Sequence, residues 1–581
     1  MQIFSKGILY LIGLFILPGL SAQSDKIPVY FIIMDTSPAK EKLITRQSQP
    51  DSLVVDRKFG ELLADLYQQG YLAASIDSID YDEEKITGYC HKGARYNWVK
   101  VNFDTVDKAV FRKANIKAKK YVNSRVDPLV LVKDQRKIVE YYEDSGYPFA
   151  SARLDNMEFE GEDVTASMIV DKGPLITIDS IIIKGTARIS QKYLENQIGI
   201  AHGDLYRESA VRAISDRIRE TSFLREIKPF EVEFFQDKAD IYAYLEKGRA
   251  NHFNGIIGII PNNEKTGKLL LTGDISFSLV NPFGRGTSFN LNWKKLEPLT
   301  QELTIHGSYP YIFSSFIGVG FDLFLLKQDT TYFLAEPEVE LDFFLKGSNY
   351  IRIFFRHQGS SLLSKSGLKN IDYLPPYADM NTSFYGAGIF YNRLDYRFNP
   401  RRGIFIEGDV SIGTKKIQKI PELRDDIYES LDLSTTKTVF NGMISFFIPV
   451  GTKFTLQLRN ISGHIINKYL FVNELFRLGG INNLRGVDEN SILASSFTIG
   501  TLEFRYLFEE QSNLFLFFDQ GYYIKDLSQD VVEDTPSGFG AGMNLQTRAG
   551  IFTISYAMGR QYKNPVNLSS AKVHFGYLSR F

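Results

Sequence analysis

The sequence has few of the features that mark disulfide-bonded, nucleic-acid-binding or helical membrane proteins. Cys90 is the only cysteine among 581 residues, which excludes an internal disulfide framework. The formal net charge is −1, so no basic surplus points to nucleic acid as a partner. After the N-terminal segment, no apolar run reaches the roughly 18 residues that a spanning helix needs. If the chain crosses a membrane, it must do so with strands.

Residues 1–22 have the pattern of a secretory signal. Lys6 precedes an apolar run from Gly7 to Leu20, and the small pair Ser21-Ala22 follows it. No cysteine follows the run, so we expect no lipid anchor there. We expect the mature chain to work outside the cytoplasm, with Cys90 as a small buried side chain rather than a reactive thiol.

Residues 23–250 repeat themselves. Gly70, Gly146 and Ser222 are spaced 76 residues apart, each at the end of a helix-like stretch, and a fixed period indicates repeated modules. Each unit is predicted to run strand, helices, strand, strand. The predicted units are repeat 1 at residues 23–95, repeat 2 at 96–173 and repeat 3 at 174–250.

A small sheet covered on one face leaves an exposed edge. In an exported repeat, such an edge can bind an extended peptide by strand addition. The alternative is that the three repeats serve only as a spacer.

Residues 251–581 are predicted to form an all-β barrel. Apolar and polar residues alternate, as where Phe454, Leu456 and Leu458 are interleaved with polar neighbours. We count 16 such segments, and the connections between them alternate between short and long. An even strand count with short periplasmic turns and long outer loops is typical of outer-membrane barrels, whereas a sandwich has no reason to alternate its loops. The chain ends on an aromatic residue, Phe581.

One long connection, from about Ile465 to Asn490, combines apolar residues, glycines and two arginines, Arg477 and Arg485. A disordered loop would be more polar. One hypothesis is that the loop folds back into a cavity, where Arg485 meets a buried carboxylate. The other is a surface loop with incidental glycine and arginine. The residues of this element are Gly479, Gly480, Leu484, Arg485, Gly486 and Val487.

Glu503 and Asp519 are candidate partners of Arg485. Strand parity places both carboxylates inward on adjacent strands, because Leu502, Phe504 and Phe518 take the lipid-facing positions. The two could hold one guanidinium. They could equally line a wet lumen without pairing to it.

Together these motifs resemble the BamA/TamA superfamily of outer-membrane insertases. The elements that carry the resemblance are Leu478-Gly479-Gly480, Leu484-Arg485-Gly486-Val487, Gly500-Thr501-Leu502-Glu503, Phe517-Phe518-Asp519-Gln520-Gly521 and the terminal aromatic. The resemblance covers the mature chain and implies polypeptide-transport-associated (POTRA) repeats before a sixteen-stranded barrel. It also implies that Arg485 pairs with Glu503 and Asp519. Members usually carry an aromatic where Val487 stands, and the three repeats are closer to TamA than to BamA.

The first and last strands, about His252 to Ile260 and Ala571 to Phe581, must meet to close the barrel. Both strands contain glycine, which weakens a strand from inside: Gly255 and Gly258 in the first and Gly576 in the last. The alternative is that these glycines serve only to bend the sheet. The resemblance implies a seam that opens to template a client strand. The residues assigned to this seam are Gly255, Ile257, Gly258, Phe575, Gly576 and Phe581.

These features favour a factor in the outer membrane of a Gram-negative bacterium that binds unfolded outer-membrane or secreted clients and inserts them through the seam. The alternatives are a two-partner-secretion translocator of a dedicated exoprotein and, less favoured because of the repeats, a passive porin. No G-x-S-x-G motif and no metal-ligand cluster is apparent, so we expect no enzyme, cofactor or metal. Accessory lipoproteins or an inner-membrane partner, along with the lipid bilayer, are the further partners expected.

Overall fold

The computed structural model describes residues 27–35, 40–47, 52–82, 84–261, 269–295, 299–365, 368, 371, 373–395, 399–429, 431–509, 511–527, 530–547, 550–562, 566 and 571–580. The expected signal at residues 1–22 and the terminal Phe581 lie outside the described residues. The chain divides into two compact units, Met1–Ile176 with Leu205–Glu208 and Thr177–Asp204 with Ser209–Phe581.

Repeat 1 is a four-stranded sheet covered by one helix. Its elements are β1 (Ile27–Ile33), β2 (Lys40–Gln47), α1 (Ser52–Gln68), β3 (Ser75–Tyr81) and β4 (Ile86–His91), with strand order β2-β1-β4-β3. Val55, Phe59 and Leu66 of α1 are buried, at helical spacing. Cys90 is buried in β4, and burial raises the pKa of its thiol.

Repeat 1 departs from the predicted element order at one point. Among its described residues, Lys40–Gln47 forms a strand on the edge of the sheet where a first helix was expected. The segment contains Ile44 and Thr45, whose β-branched side chains favour strand over helix.

Repeat 2 departs from the predicted order at one point, because a short strand, Val122–Arg125, stands between its two helices. Its elements are β5 (Asn97–Asn102), α2 (Lys108–Lys113), β6 (Val122–Arg125), α3 (Pro128–Glu143), β7 (Ser151–Glu160) and β8 (Asp163–Asp171), with strand order β6-β5-β8-β7. Asp127 caps α3 by accepting from the backbone N–H groups of Leu129 and Val130. On its inner face, α3 buries Ile138 and Tyr142 against the sheet.

The glycines that revealed the period occupy equivalent turns. Tyr96 N–H donates to Gly70 O at 2.8 Å, and Ile176 N–H donates to Gly146 O at 2.8 Å. Both glycines have positive φ, 89° and 99°, which explains their place at the end of each helix. The sequence period therefore marks a repeated helix-terminating turn that bonds to the start of the next repeat.

Repeat 3 has a three-stranded sheet. Its elements are β9 (Thr177–Lys184), α4 (Gln191–Ile198), α5 (Glu208–Arg212), α6 (Ile214–Arg219), β10 (Leu224–Phe235) and β11 (Lys238–Lys247), with strand order β10-β11-β9. Among the described residues, no helix is long and apolar enough to cross a membrane.

The remaining chain closes into an antiparallel barrel. The first eleven strands are β12 (His252–Pro261), β13 (Leu269–Val280), β14 (Ser288–Lys295), β15 (Gln301–Tyr309), β16 (Ile317–Gln328), β17 (Tyr332–Lys346), β18 (Asn349–Leu362), β19 (Met380–Leu394), β20 (Gly403–Ile417), β21 (Ser434–Val450) and β22 (Phe454–Ile466). Two short strands, β23 (Phe476–Leu478) and β24 (Ile492–Ala494), pair with each other inside the next loop. The last strands are β25 (Ser496–Glu509), β26 (Ser512–Leu527), β27 (Asp530–Asp534), β28 (Ser537–Gln546), β29 (Gly550–Arg560) and β30 (Lys572–Arg580).

The wall contains sixteen strands, which confirms the predicted count. β26 pairs along its length first with β28 and then with β27, so β27 only extends this hairpin outward. Side chains alternate as predicted, with Leu502 and Phe504 exposed on the outside and Thr501 and Glu503 buried inside. Several strands extend into connections that were predicted as loops. For example, β18 continues to Leu362 and β19 begins at Met380.

Repeat 3 packs on the short turns of the barrel. Ser190 N–H donates to Gly284 O at 2.7 Å, and the Tyr311 hydroxyl donates to Gln197 Oε1 at 3.1 Å. The carboxylate of Glu220 accepts from Ser348 N–H at 2.9 Å. The short turns and the repeat therefore share one end of the barrel.

The long loops pack together at the opposite end. They bury a small apolar core, which we call the outer cap. Its buried members are Ala378, Ile417, Ile420, Leu423, Tyr428 and Phe471. The loops are thus ordered by the same burial of apolar surface that stabilises a domain core.

Candidate functional site

The connection between β22 and β25, residues 467–495, enters the barrel and forms a small folded unit, here called the plug loop. Leu484 and Ala494 are fully buried, and they pack with Leu478, Val487 and Ile492. This cluster continues onto the wall through Ile499 of β25 and Tyr523 of β26. Leu478 and Leu484, two of the apolar residues that set this loop apart in the sequence, therefore belong to its core, whereas Ile481 is exposed.

Arg485 lies at the tip of the plug loop and reaches two wall carboxylates. Its Nη2 donates to Asp519 Oδ1 at 2.8 Å and its Nε to Asp519 Oδ2 at 2.8 Å, while Nη1 donates to Glu503 Oε2 at 2.6 Å. Its backbone N–H also donates to Asp519 Oδ2 at 3.1 Å. The guanidinium carbon lies 3.6 Å from the centroid of the Phe517 ring. All these charges are buried together, so each depends on the others for compensation.

Neighbouring arginines complete the charge balance around this cluster. Arg505 Nε donates to Glu503 Oε1 at 2.8 Å, so this carboxylate is shared between two guanidinium groups. Arg459 Nη2 donates to the carbonyl of Asn482 in the plug loop at 3.1 Å. The loop is thus fixed by hydrogen bonds to side chains from three adjacent strands, β22, β25 and β26.

Two glycines allow the backbone of the tip to touch the wall. Gly486 has φ 86°, and a Cβ there would lie 2.5 Å from the carbonyl carbon of Met558. A Cβ on Gly538 would lie 1.8 Å from the carbonyl oxygen of Arg485. Gly538 was not among the residues predicted from the sequence, because its role follows only from the approach of a loop distant in the chain.

Gly479 and Gly480 lie where the plug loop turns after β23. Their φ angles are 111° and 96°, in the region that favours glycine. The backbone N–H of Gly479 donates to Asn483 Oδ1 at 2.8 Å, and Gly480 pairs with Leu484. These glycines therefore shape the hairpin that presents Arg485.

The plug loop contacts the wall on every side. Polar contacts join Glu489 to Lys294 of β14, Arg477 to Gln328 of β16 and Tyr332 of β17, Asn473 to Ser360 of β18, Glu474 to Lys415 of β20 and Lys437 of β21, Asn482 to Arg459 of β22, Arg485 to Glu503 of β25 and Asp519 of β26, and Asp488 to Lys572 of β30. The lumen is consequently bridged from one wall to the other.

Glu474 anchors the outer end of the plug loop. It forms ion pairs with Lys415 and Lys437, and all three side chains are almost fully buried. Phe471 N–H donates to Glu474 Oε2 at 2.9 Å. Burial alone would raise the pKa of the Glu474 carboxyl, but the two ammonium groups outweigh it and hold that pKa below its usual value.

The barrel closes over a short distance. β12 and β30 pair only at His252 with Arg580 and at Phe253 with Ser579 among the described residues, whereas β12 and β13 pair at ten positions. Continued in the same register, Ile257 would stand opposite Phe575, but no pairing is formed there. In the described part of the seam, the backbone pairs between β12 and β30 do not include Gly255 or Gly576, and the Phe575 side chain is 68% exposed.

The remaining seam residues are described only in part. The backbones of Ile257 and Gly258 pair with Gly273 and Thr272 of β13. The side chain of Ile257 lies outside the described atoms, as does the whole of Phe581. The first and last strands therefore meet, and their described residues pair at two positions.

Two ion pairs join the plug loop to strands on the two sides of the seam. Asp488 pairs with Lys572 of β30 at 2.6 Å, and Glu489 pairs with Lys294 of β14 at 2.5 Å. None of these four residues was singled out from the sequence. Each is an ordinary charged residue in a polar stretch, so no local signal distinguishes it.

Comparison with protein families matches two regions of the chain. An Omp85 superfamily domain matches residues 281–581, and a surface antigen variable number repeat, a POTRA model, matches residues 176–248.

Individual relatives are distant. The outer membrane protein assembly factor BamA of Nitratidesulfovibrio vulgaris is 21% identical over 183 residues, which cover 30% of this chain and 23% of that protein. The chain thus aligns with about a quarter of the length of that relative. Among solved structures, CdiB from Escherichia coli has a TM-score of 0.53 at 14% identity, covering 91% of this chain and 98% of the other. CdiB from Acinetobacter baumannii has a TM-score of 0.51 at 12% identity, covering 91% and 98%.

Proposed function

Since the chain belongs to the Omp85 superfamily, we propose that it is an assembly or translocation factor that takes unfolded proteins from the periplasm and inserts them into the outer membrane. As a member of that family it is an outer-membrane β-barrel protein with its repeats in the periplasm. The observation that carries the proposal is a plugged lumen beside a seam that the described residues pair at only two positions.

The plug loop argues against a passive pore. A porin needs an open aqueous lumen, whereas here Arg485, Glu474 and Arg477 tie the loop to opposite walls. A route through the wall does not require that lumen. Beyond the two seam pairs, the described parts of β12 and β30 are not paired with each other, and such facing edges suit the addition of a client strand.

The repeats are proposed to deliver clients by strand addition. β7 in repeat 2 is an edge strand that pairs only with β8, and the run Ser151–Asp155 is regular. A bulge between Asp155 and Glu158 interrupts the rest of this edge. Such bulges limit uncontrolled pairing, so only a short client segment would be accommodated.

A two-partner-secretion translocator is the second candidate. The fold likeness to CdiB is consistent with it, but a likeness at this identity concerns the fold alone. The three repeats favour the assembly role, since the resemblance associates secretion translocators with two repeats and a plug helix. Here the described lumen is filled by the connection between β22 and β25.

Site-specific photocrosslinking in the full-length protein tests client capture. A photoreactive residue replaces Arg153 on the edge strand β7, and the matched control carries it at Leu129, which is 56% exposed on α3 of the same repeat. We expect an unfolded outer-membrane protein to crosslink at position 153 and not at 129, and the same protein once folded to crosslink at neither. Equal crosslinking at the two positions would reject strand addition at this edge.

A further inference from the structure

Three potential metal ligands meet on adjacent strands of the barrel interior. His306 of β15 lies opposite Asp322 of β16, and Glu340 of β17 lies opposite Gly320 of β16. The nearest ligand atoms of His306, Asp322 and Glu340 all lie within 4.8 Å of one another. His306 Nδ1 is 2.9 Å from Asp322 Oδ1. Two ligands of one tetrahedral zinc ion, each at about 2.0 to 2.2 Å, lie about 3.4 Å apart, which falls between the 2.9 Å and the 4.8 Å found here.

The surroundings of this group carry an excess of negative charge. It opens on a cavity of about 410 Å³ whose lining includes five carboxylates but only two guanidinium groups, those of Arg352 and Arg356. Arg352 is shared between Glu340 at 3.1 Å and Glu407 at 3.3 Å. The arginines therefore leave part of the negative charge uncompensated, and such a cavity attracts cations.

Asp342 provides a second, independent indication. It occupies the next inward position after Glu340 on β17, is 6% exposed, and lies near enough to His306, Asp322 and Glu340 to interact with their charges. Its Oδ1 has no hydrogen-bond partner among the described residues. A buried carboxylate oxygen without a hydrogen-bond partner is costly, and a nearby cation would offset that cost.

We propose that His306, Asp322 and Glu340 form a binding site for a divalent transition-metal cation, with Asp342 compensating its charge. One imidazole and two carboxylates, with no thiolate among the three ligands, suit ions such as zinc. The open cavity leaves further coordination positions for water. A bound ion would crosslink three adjacent wall strands. No such cluster was expected from the sequence, because its members lie on separate strands and meet only through the register of the sheet.

Gly320 supplies the space for one ligand. A Cβ at this position would lie 2.2 Å from Glu340 Oε1, so Gly320→Ala must displace that carboxylate while leaving every ligand in the chain. Gly307, next to His306, offers a matched control, since a Cβ there meets nothing within 4 Å. His464 of β22 is a control histidine on a different part of the wall.

The test uses full-length protein in detergent, purified without a histidine tag, stripped with chelator and titrated with Zn²⁺ by calorimetry. We expect one Zn²⁺ per chain and a rise in unfolding temperature on binding. His306→Ala and Gly320→Ala should weaken binding at least tenfold, whereas Gly307→Ala and His464→Asn should bind as the wild type does. Absence of binding by the wild type, or equal binding by all variants, would overturn the proposal.

Cobalt spectroscopy of the wild type keeps the test decisive where a variant does not fold. Co²⁺ bound by imidazole and carboxylates in a protein site shows visible absorption that differs from that of the aqueous ion. Development of this absorption at one equivalent, and its loss on adding Zn²⁺, is the expected result. A spectrum unchanged from aqueous Co²⁺ would overturn the site without any substitution.

Discussion

Arg485 donates two parallel hydrogen bonds to the carboxylate of Asp519, and that carboxylate is fully buried. The two residues join the tip of a loop to the wall that surrounds it. Because both side chains are almost fully buried, removing either one would leave the charge of the other without compensation from water. This relationship makes the position of the loop sensitive to one side chain.

Arg485→Ala is expected to displace the plug loop and reduce client insertion, because Glu503 and Asp519 would remain buried with too little positive charge. Removing one partner of a buried pair costs about 3 to 5 kcal/mol. Arg485→Lys should rescue poorly, since an ammonium group cannot make the parallel pair of bonds. Protease accessibility of the loop and heat-modifiable migration of the barrel measure the two effects separately. The exposed Arg424→Ala is the control, and a fully active Arg485→Ala protein with a protected loop would contradict the role proposed for the pair.

A disulfide between Ile257→Cys and Phe575→Cys, made in a Cys90→Ala background, should block insertion. These positions face each other if the register of the two existing seam pairs is continued. We expect reductant to restore activity, since only opening is prevented. The control joins Ile257→Cys to Gly273→Cys, which are paired in the neighbouring strands and should tolerate the link. Insertion by the oxidised seam variant at the wild-type rate would show that the seam need not open.

Glu220 should make the attachment of repeat 3 to the barrel pH-dependent. Burial raises the pKa of this carboxyl above its ordinary 4.5, with Ser348 and Arg217 opposing the shift. Folding then favours the protonated form, so its contribution to stability is complete below about pH 4.5 and is lost as pH rises through the folded-state pKa. Glu220→Gln should reduce this dependence, as seen in unfolding temperature between pH 4 and 8. Identical pH profiles for the two proteins would contradict the assignment.

Glu474→Gln should destabilise the outer cap, because Lys415 and Lys437 would remain buried without their shared anion. The expected cost is about 3 to 5 kcal/mol. Since the pKa of Glu474 is held below 4.5, the stability it contributes is present above that pH and lost as pH falls through the folded-state value. Unfolding temperature measures the effect, and Asp432→Asn, which breaks an exposed ion pair with Lys468, is the control expected to match wild type. Equal temperatures for the two variants would argue against the buried cluster.

The barrel was predictable because its signal is local. Alternation along each segment, such as Phe454 to Leu458, depends only on which face meets lipid, and it located all sixteen strands. The extent of the strands was less predictable, since hydrogen bonding carries β18 to Leu362 through polar residues that look like a loop. Repeat 1 was predicted with a first helix that Lys40–Gln47 replaces with a strand.

The candidate functional site was likewise predictable only in part. Arg485, Glu503 and Asp519 could be named from their motifs and strand parity. The contacts of Asp488 and Glu489 with the far wall depend on where a long loop settles, and the grouping of His306 with Glu340 depends on sheet register. Neither leaves a pattern in the linear sequence, because the residues concerned are ordinary polar ones at unremarkable positions.

The contacts of the plug loop around the whole wall bear on the permeability of the cell envelope. Barrels of 16 to 18 strands leave a water-filled channel when nothing occupies them. With Glu474, Arg477 and Arg485 tied to opposite walls, the seated loop occupies the space through which solutes would otherwise diffuse. We therefore expect the seated loop to limit leakage across the outer membrane, and displacing it, as in Arg485→Ala, to increase the uptake of small solutes.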